Sequence, residues 1–512
     1  MEEQDTLKKR WGVLESKKGS LHTRNEKYAR WTLPYLYADV NDKQEELDTD
    51  LDSTGARAVN HLSNKKIEVL YPSYRPFLKL ELSDDVLKEL DEAKVPMASV
   101  TEGLAKGERK VIRALDKMGH RTAATLAAKY LIVTGNALVY YPEGKAQVYN
   151  TRDYCILRDL SGTVIEILTR DMKSFETFSK DVQAKLVADG KASGEKDYKA
   201  GKDVTIYTSI KLNDKKYEIT QAADTVALEV NENKYAKKDL PWIPLTWNLV
   251  RGEDYGRGLV EDYRGAFNAV EVLTQSLVEG VIGAAALKFL VHPSSVVDVQ
   301  ELNDSPNGSY HAGREGDITT VKSDKHLDFQ QVRQVKEDFE RQIAQGFLMG
   351  SEVTRDAERV TAEEIRKDVQ ELEIAFGGIY SRFTEDWQEP VAGIMLSRQD
   401  VQIGEDSIYP VIVTGLDTLS RMGDLDNYRM FAQDLSAINE LPEAVQRYLK
   451  FGELITWVGT NRGLDYTQFI KTDAEVQAED AAMQEQQAAM MQAETGNQMV
   501  ADAGKEIAKK EL

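Results

Sequence analysis

Cysteine is almost absent from this chain of 512 residues, which contains only Cys155. A single cysteine cannot form a disulfide within the chain, and it excludes any metal site built from several cysteines of one chain. The six histidines are scattered, and none belongs to an H-E-x-x-H motif. We therefore predict no metal and no cofactor, and a reducing compartment such as a bacterial cytosol. His61 lies in an amphipathic helical pattern, which favours a packed or interface histidine over a metal ligand.

Long hydrophobic runs are also missing. The most apolar stretch, VIGAAALKFLV at 281–291, is too short to cross a bilayer and contains Lys288. The first residues, MEEQDTLKKRW, are charged and lack the apolar core of a secretory signal. The sequence thus predicts no membrane insertion.

Signatures of catalysis are absent as well. The Gly-Lys pairs at 190–191 and 201–202 lack the upstream spacing and the Ser or Thr of a phosphate-binding loop. Gly252, Gly256 and Gly258 precede a predicted helix, but their spacing differs from that of a dinucleotide-binding fingerprint, so a turn that leads into a helix is the better interpretation. We predict that the chain is not an enzyme. A hydrolase that uses a pair of acidic residues stays open as a less favoured alternative.

Charge of one sign dominates what is present. Charged residues make up 29% of the chain, and the formal net charge is −21. Tight binding to a phosphate backbone depends on Lys and Arg that displace counterions, so an acidic chain is a poor candidate for gripping nucleic acid. It can still surround a polyanion without holding it.

The hydrophobic periodicity predicts an α+β protein that is mainly helical. Val59, Leu62, Lys66 and Val69 follow 3- and 4-residue spacing within a helix over about 53–70, and a longer helical region covers about 85–134. Between about 136 and 250 the pattern changes to strands with antiparallel pairing, and 189–203 has the composition of an exposed loop. Further helices follow at about 257–290, 329–349 and 361–389.

One polar segment before the last of these helices has no apolar face. This segment, residues 350–360, contains five charged residues: Glu352, Arg355, Asp356, Glu358 and Arg359. Thr361 and Glu364 form a capping box, in which each side chain bonds the other residue's backbone amide at the start of the helix. Gly377 and Gly378 predict a kink in that helix, because glycine weakens a helix by roughly 1 kcal/mol relative to alanine. A loop this polar must face water or a charged partner.

Six segments, in this order along the chain, resemble the portal proteins, or head–tail connectors, of T7-like short-tailed bacteriophages. They are STGARAVNHLSNK (53–65) with YPSYRPFLKL (71–80), LVRGEDYGRGLVEDY (249–263), AERVTAEEIR (357–366), AFGGIYSRF (375–383) and VTGLDTLSR (413–421). The resemblance extends over most of the chain and is vague across 170–240. It implies the portal fold, with wing, stem, clip, tunnel loop and crown, assembled as a homododecameric ring.

The resemblance also implies a role for each part of the chain. The expected parts are the helical wing (1–135), the α+β wing (136–250), the first stem helix (251–290), the clip (291–328), the second stem helix (329–349), the tunnel loop (350–360), the kinked helix with the wing–crown connection (361–423), the helical crown (424–472) and a tail that is disordered or marginally helical (473–512).

The function that the resemblance implies is a channel at the unique capsid vertex for packaging and ejection of double-stranded DNA, without sequence specificity. The implied partners are the terminase large subunit, tail adaptor and tail tube proteins, the major capsid protein, and scaffolding and internal core proteins. The implied location is the virion, with assembly in the host cytoplasm. The alternative is another ring-forming phage structural protein, such as a tail adaptor.

Overall fold

A computed structural model describes residues 5–38, 47–72, 76–82, 86, 88, 97–193, 198–230, 234–285, 288–321, 326–349, 382–398, 408–412 and 433. The chain divides into two compact units, Met1–Leu416 and Asp417–Leu512, and all of these residues except 433 belong to the first. None of the described helices is both long enough and apolar enough to cross a bilayer.

The described α-helices are α1 (Asp5–Ser16), α2 (Gly19–Trp31), α3 (Thr54–Leu70), α4 (Met97–Lys117), α5 (His120–Thr134), α6 (Lys180–Ser193), α7 (Leu259–Asp262), α8 (Arg264–Ala285), α9 (Val299–Asp304), α10 (His326–Gly346) and α11 (Glu389–Arg398). Short 3₁₀-helices lie at Pro34–Leu36, Phe175–Thr177 and Lys237–Asp239, and a π-helix spans Thr384–Gln388.

The described strands are β1 (Leu78–Leu82), β2 (Asn136–Tyr140), β3 (Gln147–Tyr149), β4 (Tyr154–Arg158), β5 (Val164–Ser174), β6 (Asp203–Asn213), β7 (Lys216–Ala223), β8 (Val226–Leu228), β9 (Lys234–Ala236), β10 (Trp242–Thr246), β11 (Lys288–Val291), β12 (Ile318–Val321) and β13 (Ile408–Ile412).

Every described strand pair is antiparallel. The largest sheet has the order β4-β5-β6-β7-β8, with β9 also paired to β7, and a smaller one has the order β10-β2-β3. β1 pairs with β13, and β11 pairs with β12 as a separate hairpin. The α+β class with antiparallel pairing is therefore confirmed.

The core between the two larger sheets consists of alternating strand residues. Leu138, Ile156, Ile167, Ile210 and Trp242 are buried together, and each is an apolar residue of a strand. Side chains of a strand alternate between its two faces, so this alternation buries one face of each strand.

Two helical predictions are wrong in detail. The helical region at 85–134 is interrupted at Gly119, whose φ of 67° is available to glycine at little cost, so α4 and α5 are separate helices. The helix predicted at 257–290 breaks at Tyr263 and ends at Ala285, and its last predicted residues belong to β11.

The predicted exposed loop at 189–203 is also partly wrong, because its first residues are the end of α6. The composition of this segment is polar, but Leu186 of the same helix is fully buried against Phe175, Phe178 and Tyr198. Tertiary packing of one apolar face thus stabilises a helix of weak intrinsic propensity.

The segment 291–328, which the resemblance implies to be the clip, contains α9 and β12 as well as turns. Helical structure continues through Pro390, with the π-helix immediately before it. Proline has no N–H to donate, and a local π turn is a usual site for a bend in a helix.

Candidate functional site

The nine residues predicted for the charged loop, its cap and the kink lie outside the described residues: Glu352, Arg355, Asp356, Glu358, Arg359, Thr361, Glu364, Gly377 and Gly378. The structure describes the chain on both sides of them. We use the term loop base for residues 343–349 and 382–388, which lead into and out of that segment.

Helices α8 and α10 pack side by side in antiparallel directions. Phe347, near the end of α10, contacts Tyr263 and Phe267 at the start of α8, with ring centroids 5.6 and 5.9 Å apart. Near the opposite ends, a Cβ placed on Gly280 would lie 2.5 Å from the ring of Phe329. The absence of a side chain at Gly280 therefore lets the two helices approach closely.

The incoming side of the loop base is held by buried contacts. Ile343 and Phe347 are fully buried, and Leu348 has a φ of 55°, which is unusual for a residue with a branched side chain. His61 of α3 donates a hydrogen bond from Nε2 to the carbonyl of Leu348 at 3.0 Å. This contact gives the half-buried His61 a packing role at the point where α10 ends.

The outgoing side of the loop base is held by backbone carbonyls of other elements. Arg382 donates from Nη2 to the carbonyl of Thr246 at 2.9 Å and to the carbonyl of Trp247. The fully buried Gln388 donates to the carbonyl of Leu70 at 2.5 Å. The incoming side of the loop base is thus attached to α3, and its outgoing side is attached to the end of α3 and to the end of β10 with the residue that follows it.

Lys66 lies beneath this outgoing side and is only 4% exposed. Its Nζ is 4.2 Å from the ring centroid of Trp247 and 3.4 Å from that of Phe383, and no hydrogen-bond partner for it is found in the described part of the chain. Burial, together with the positive charge of Arg382, holds the pKa of Lys66 well below its ordinary value. Its position on the apolar stripe of α3 was the one sequence signal for this burial.

A close contact between two backbone segments, made possible by glycines, positions the start of the helix pair. A Cβ on Gly135 would lie 2.4 Å from the carbonyl carbon of Arg257, and one on Gly258 would lie 2.7 Å from the carbonyl oxygen of Ile132. The buried Asn136 accepts from the amide of Gly256 at 2.7 Å and donates to its carbonyl at 2.8 Å. These glycines therefore allow two backbone segments to touch. This agrees with the interpretation of Gly256 and Gly258 as part of a turn that leads into a helix.

Ion pairs connect both helices of the pair to the N-terminal part of the chain. Glu271 of α8 accepts from Arg30 and, at 2.6 Å, from Trp31 Nε1. Lys336 of α10 pairs with Asp52 at 2.9 Å. Helix α8 is thus anchored on the end of α2, and α10 is anchored on the segment between α2 and α3.

Large apolar side chains remain exposed on the helix pair and on the segment that joins its helices. On α8 and α10 they are Val272, Val278, Val281, Ile282 and Val335, and on the joining segment they are Phe289, Leu290, Val296, Val299, Leu302 and Tyr310. Ile282 is 65% exposed and Tyr310 is fully exposed. Extended exposed apolar patches mark interaction sites in soluble proteins.

The described residues contain no group of three or more His, Cys, Asp or Glu side chains arranged to hold a metal ion. Burial raises the pKa of Cys155 to about 12, so it remains a thiol at neutral pH.

Comparison with known proteins identifies the family. The family model of the bacteriophage head to tail connecting protein matches residues 4–470. The chain is 33% identical over 488 residues to the portal protein of Enterobacteria phage SP6, covering 95% of this chain and 94% of the relative. It is 30% identical over 437 residues to the portal protein of Escherichia phage T7, covering 83% and 80%, respectively. It is 31% identical over 489 residues to that of Pseudomonas phage phiKMV, covering 93% and 94%.

A solved structure described as the neck of an empty GTA particle is also similar, with a TM-score of 0.38 and 11% identity over 78% of this chain and 89% of that one. That likeness is too small to support an argument about the site. The family match and the relatives settle the assignment: the chain belongs to the family of bacteriophage head to tail connecting proteins.

Proposed function

We propose that the chain is a portal subunit, twelve copies of which form a ring at the unique capsid vertex. The ring is the channel through which double-stranded DNA enters during packaging and leaves during ejection. Relatives that match almost the full chain are portal proteins of phages SP6 and phiKMV, which supports this role.

The observation that carries the proposal is the exposed apolar half of α8. From Gln275 onward its sequence QSLVEGVIGAA has one charged residue, yet Val278, Val281 and Ile282 are exposed in the single chain. An apolar helix face of this kind gains free energy when neighbouring copies cover it. Repetition of the α8–α10 pair around an axis covers the face and leaves a hole in the centre.

The size of such a hole suits duplex DNA. Twelve helices, each about 10 Å across, make a ring roughly 38 Å wide through their axes and a bore of roughly 28 Å. A duplex with grooves about 8.5 Å deep is roughly 20 Å wide, so it passes with a layer of water. Each copy adds a formal charge of −21, and repulsion from all sides centres a polyanion and lets it slide.

In this proposal α8 and α10 are the stem, and the segment with the β11–β12 hairpin is the clip. A separate packaging terminase is required because the chain has no nucleotide-binding motif of its own. The exposed Phe289, Leu290 and Tyr310 of the clip suit its docking. Tail adaptor and tail tube proteins take over this surface after packaging. The wing and the capsid-side crown meet the major capsid protein, scaffolding and internal core proteins.

The charged loop at 350–360 is proposed to project into the channel. Arg355 and Arg359 touch phosphates briefly, whereas Glu352, Asp356 and Glu358 keep the contact weak. The capping box of Thr361 and Glu364 anchors the helix behind the loop, and Gly377 and Gly378 bend that helix toward the crown.

Electron microscopy of the purified full-length chain tests the proposal. We expect rings with a central hole for the unaltered protein. Val281→Asp with Ile282→Asp should yield single subunits, because it places charge in the face that neighbouring copies cover. Leu160→Asp, at a residue that is 72% exposed in the turn between β4 and β5, serves as the control and should still form rings. A compact monomer of the unaltered chain at micromolar concentration would refute the proposal.

A further inference from the structure

A cavity lies away from the helix pair, between the end of α3 and helices α4 and α5. Its volume is about 360 Å³. Its floor is formed by Tyr71, Phe77, Ile112, Leu115 and His120, and its rim carries Arg109, Arg113, Asp116 and Arg121. Nothing in the proposed channel uses this cavity.

The floor of the cavity is apolar and well packed. The edge-to-face ring contacts of Tyr71 with His120 and with Phe77 have centroid distances of 4.3 and 5.0 Å. Tyr71 also contacts Trp387 of the loop base at 5.5 Å. A floor supported on several sides in this way is preformed, which is typical of ligand pockets.

The hydrogen bonds behind the floor determine which nitrogen of His120 carries its proton. The indole Nε1 of Trp387 can only donate, and it donates to the hydroxyl of Tyr141 at 3.3 Å. Among the described residues the proton of the Tyr141 hydroxyl has no acceptor other than His120 Nδ1, 3.0 Å away. We therefore assign the hydroxyl as the donor, which places the proton of the neutral imidazole on Nε2. Burial lowers the pKa of His120 to about 3, so the ring is neutral at physiological pH.

His120 is only 5% exposed and lines the cavity. Its Nε2 has no hydrogen-bond partner in the described part of the chain. A buried donor without an acceptor costs free energy, since its hydration is lost without replacement. An acceptor oxygen that reaches Nε2 would satisfy this donor.

The rim of the cavity has an unbalanced positive charge. Arg109 and Arg113 lie one turn apart on α4, and Arg121 lies at the start of α5; all three are exposed. None of the three guanidinium groups forms an ion pair with another described residue, and Asp116 is the one carboxylate among the described residues that line the cavity. In a chain of net charge −21, this arrangement leaves guanidinium groups open to paired contacts with incoming carboxylates.

We propose that this cavity is a docking site for an acidic segment of a partner protein, which inserts an aromatic or branched apolar side chain into the floor while its carboxylates bind the arginine rim. The floor offers two polar side-chain atoms, His120 Nε2 and the Tyr71 hydroxyl, so a buried nucleobase would leave part of its polar edge unsatisfied, whereas an apolar side chain makes no such demand. The segment's carbonyl or carboxylate supplies the acceptor for His120.

Fluorescence anisotropy with the full-length chain tests this site. The probe is the labelled peptide acetyl-Asp-Glu-Phe-Asp-Glu amide, compared with the same peptide carrying Ala in place of Phe. We expect the alanine peptide to bind about tenfold more weakly, because it leaves the floor empty. Arg109→Gln with Arg113→Gln should weaken the phenylalanine peptide about tenfold as well, through the loss of charge-assisted hydrogen bonds.

Two further variants keep the result interpretable. Ile112→Trp fills the cavity from its side and should abolish binding of the phenylalanine peptide. Lys110→Gln with Lys117→Gln removes the same charge from exposed positions of α4 that do not line the cavity, and should leave binding unchanged. The thermal unfolding midpoint of each variant checks that it is folded.

Four results would overturn the proposal. The first is no binding of the phenylalanine peptide at about 1 mM, and the second is equal weakening in the Lys110 and Lys117 control. The third is equally tight binding of free N-acetylphenylalanine, which would assign the cavity to a small carboxylate. The fourth is binding of a short DNA duplex that Arg109→Gln with Arg113→Gln abolishes, which would assign the cavity to nucleic acid.

Discussion

Lys18 and Lys66 are both buried, but their surroundings are opposite. Lys18 donates to the carbonyls of Thr151 and Tyr154 at 2.7 and 3.1 Å and pairs with Glu15 at 2.5 Å. Lys66 lies on the faces of two aromatic rings. The first lysine joins the N-terminal helices to the start of β4, whereas the second lies under the loop base, and each has a measurable consequence.

The charge of Glu15 should make the stability of the folded chain depend on pH in the acidic range. Burial raises the pKa of Glu15, but hydrogen bonds from His22 and Lys18 outweigh it and lower the pKa to about 2. A carboxylate whose pKa is depressed in the folded state stabilises it above the unfolded pKa of about 4.3, and this contribution is lost as the pH falls toward 2. Glu15→Gln should therefore lower the thermal unfolding midpoint at pH 7, corresponding to about 1–3 kcal/mol.

The control for Glu15 is Glu26→Gln, which breaks an ion pair with Arg152 whose carboxylate side is about half exposed. Surface pairs contribute roughly 0–1 kcal/mol, so this variant should change the midpoint little. The difference between Glu15→Gln and the unaltered chain should shrink between pH 5 and pH 2.5. An equal difference at both pH values would contradict the role given to the Glu15 charge.

Lys66→Met should stabilise the protein at neutral pH. It replaces a buried amine that lacks a hydrogen-bond partner in the described part of the chain with an apolar group of similar length. The pKa of Lys66 is lowered in the folded state, so folding releases its proton and the stability of the unaltered chain rises with pH up to about 10.4. We expect the thermal midpoint to rise by about 2 °C or more at pH 7, and by less at pH 10.

The comparison variant is Lys66→Ala, which removes the packing of the lysine stem and should destabilise. A lower midpoint for Lys66→Met as well would mean that the amine is charged and held by the rings of Trp247 and Phe383.

At the scale of elements, the α8–α10 pair depends on where its glycines lie. Gly280 faces Phe329 across the pair, whereas a Cβ on Gly283 would meet no atom within 4 Å. Both glycines are inside α8, so the intrinsic preference of a helix for alanine is the same at each.

Gly283→Ala should stabilise α8 by up to about 1 kcal/mol. Gly280→Ala should have a lower thermal unfolding midpoint than Gly283→Ala and than the unaltered chain, because its methyl group requires the Phe329 ring to move. Circular dichroism melts of the two variants, run side by side, measure the difference. Equal midpoints would show that the pair does not pack closely at Gly280.

At the scale of the whole molecule, the acidic balance and the charged loop act together in the proposed channel. We propose that the large negative charge keeps DNA from adhering and that Arg355 and Arg359 supply brief contacts with its phosphates.

Arg355→Ala with Arg359→Ala should leave ring assembly intact and reduce packaging yield or DNA retention in assembled particles, because phosphates lose their transient contacts. Lys180→Ala with Lys185→Ala, at exposed positions of α6, removes the same charge elsewhere and should have no effect on either measure. Nuclease-protected DNA in purified particles measures both. Unchanged packaging and retention in the loop variant would remove this role.

Much of the element pattern was predictable, because helix and strand periods depend on near neighbours along the chain. The helix over Thr54–Leu70, the strand Trp242–Thr246 and the antiparallel α+β character are examples. The break at Tyr263 and the helix α6 were missed, because both depend on packing against residues distant in sequence. The predicted loop residues lie outside the described part, so their placement stays a prediction.

The sequence by itself determined the α+β class, the absence of a disulfide within the chain, the acidic balance and the order of the segments that resemble the family. Each of these is a property of composition, of the local spacing of residues or of the order of segments along the chain. Only the tertiary structure decided that Lys66 is buried on two aromatic rings, that the glycines near Asn136 meet at a close backbone contact, and that three arginines lie at the rim of a mainly apolar cavity. The physical reason is that burial and pairing depend on side chains brought together from distant parts of the chain, which no local pattern specifies.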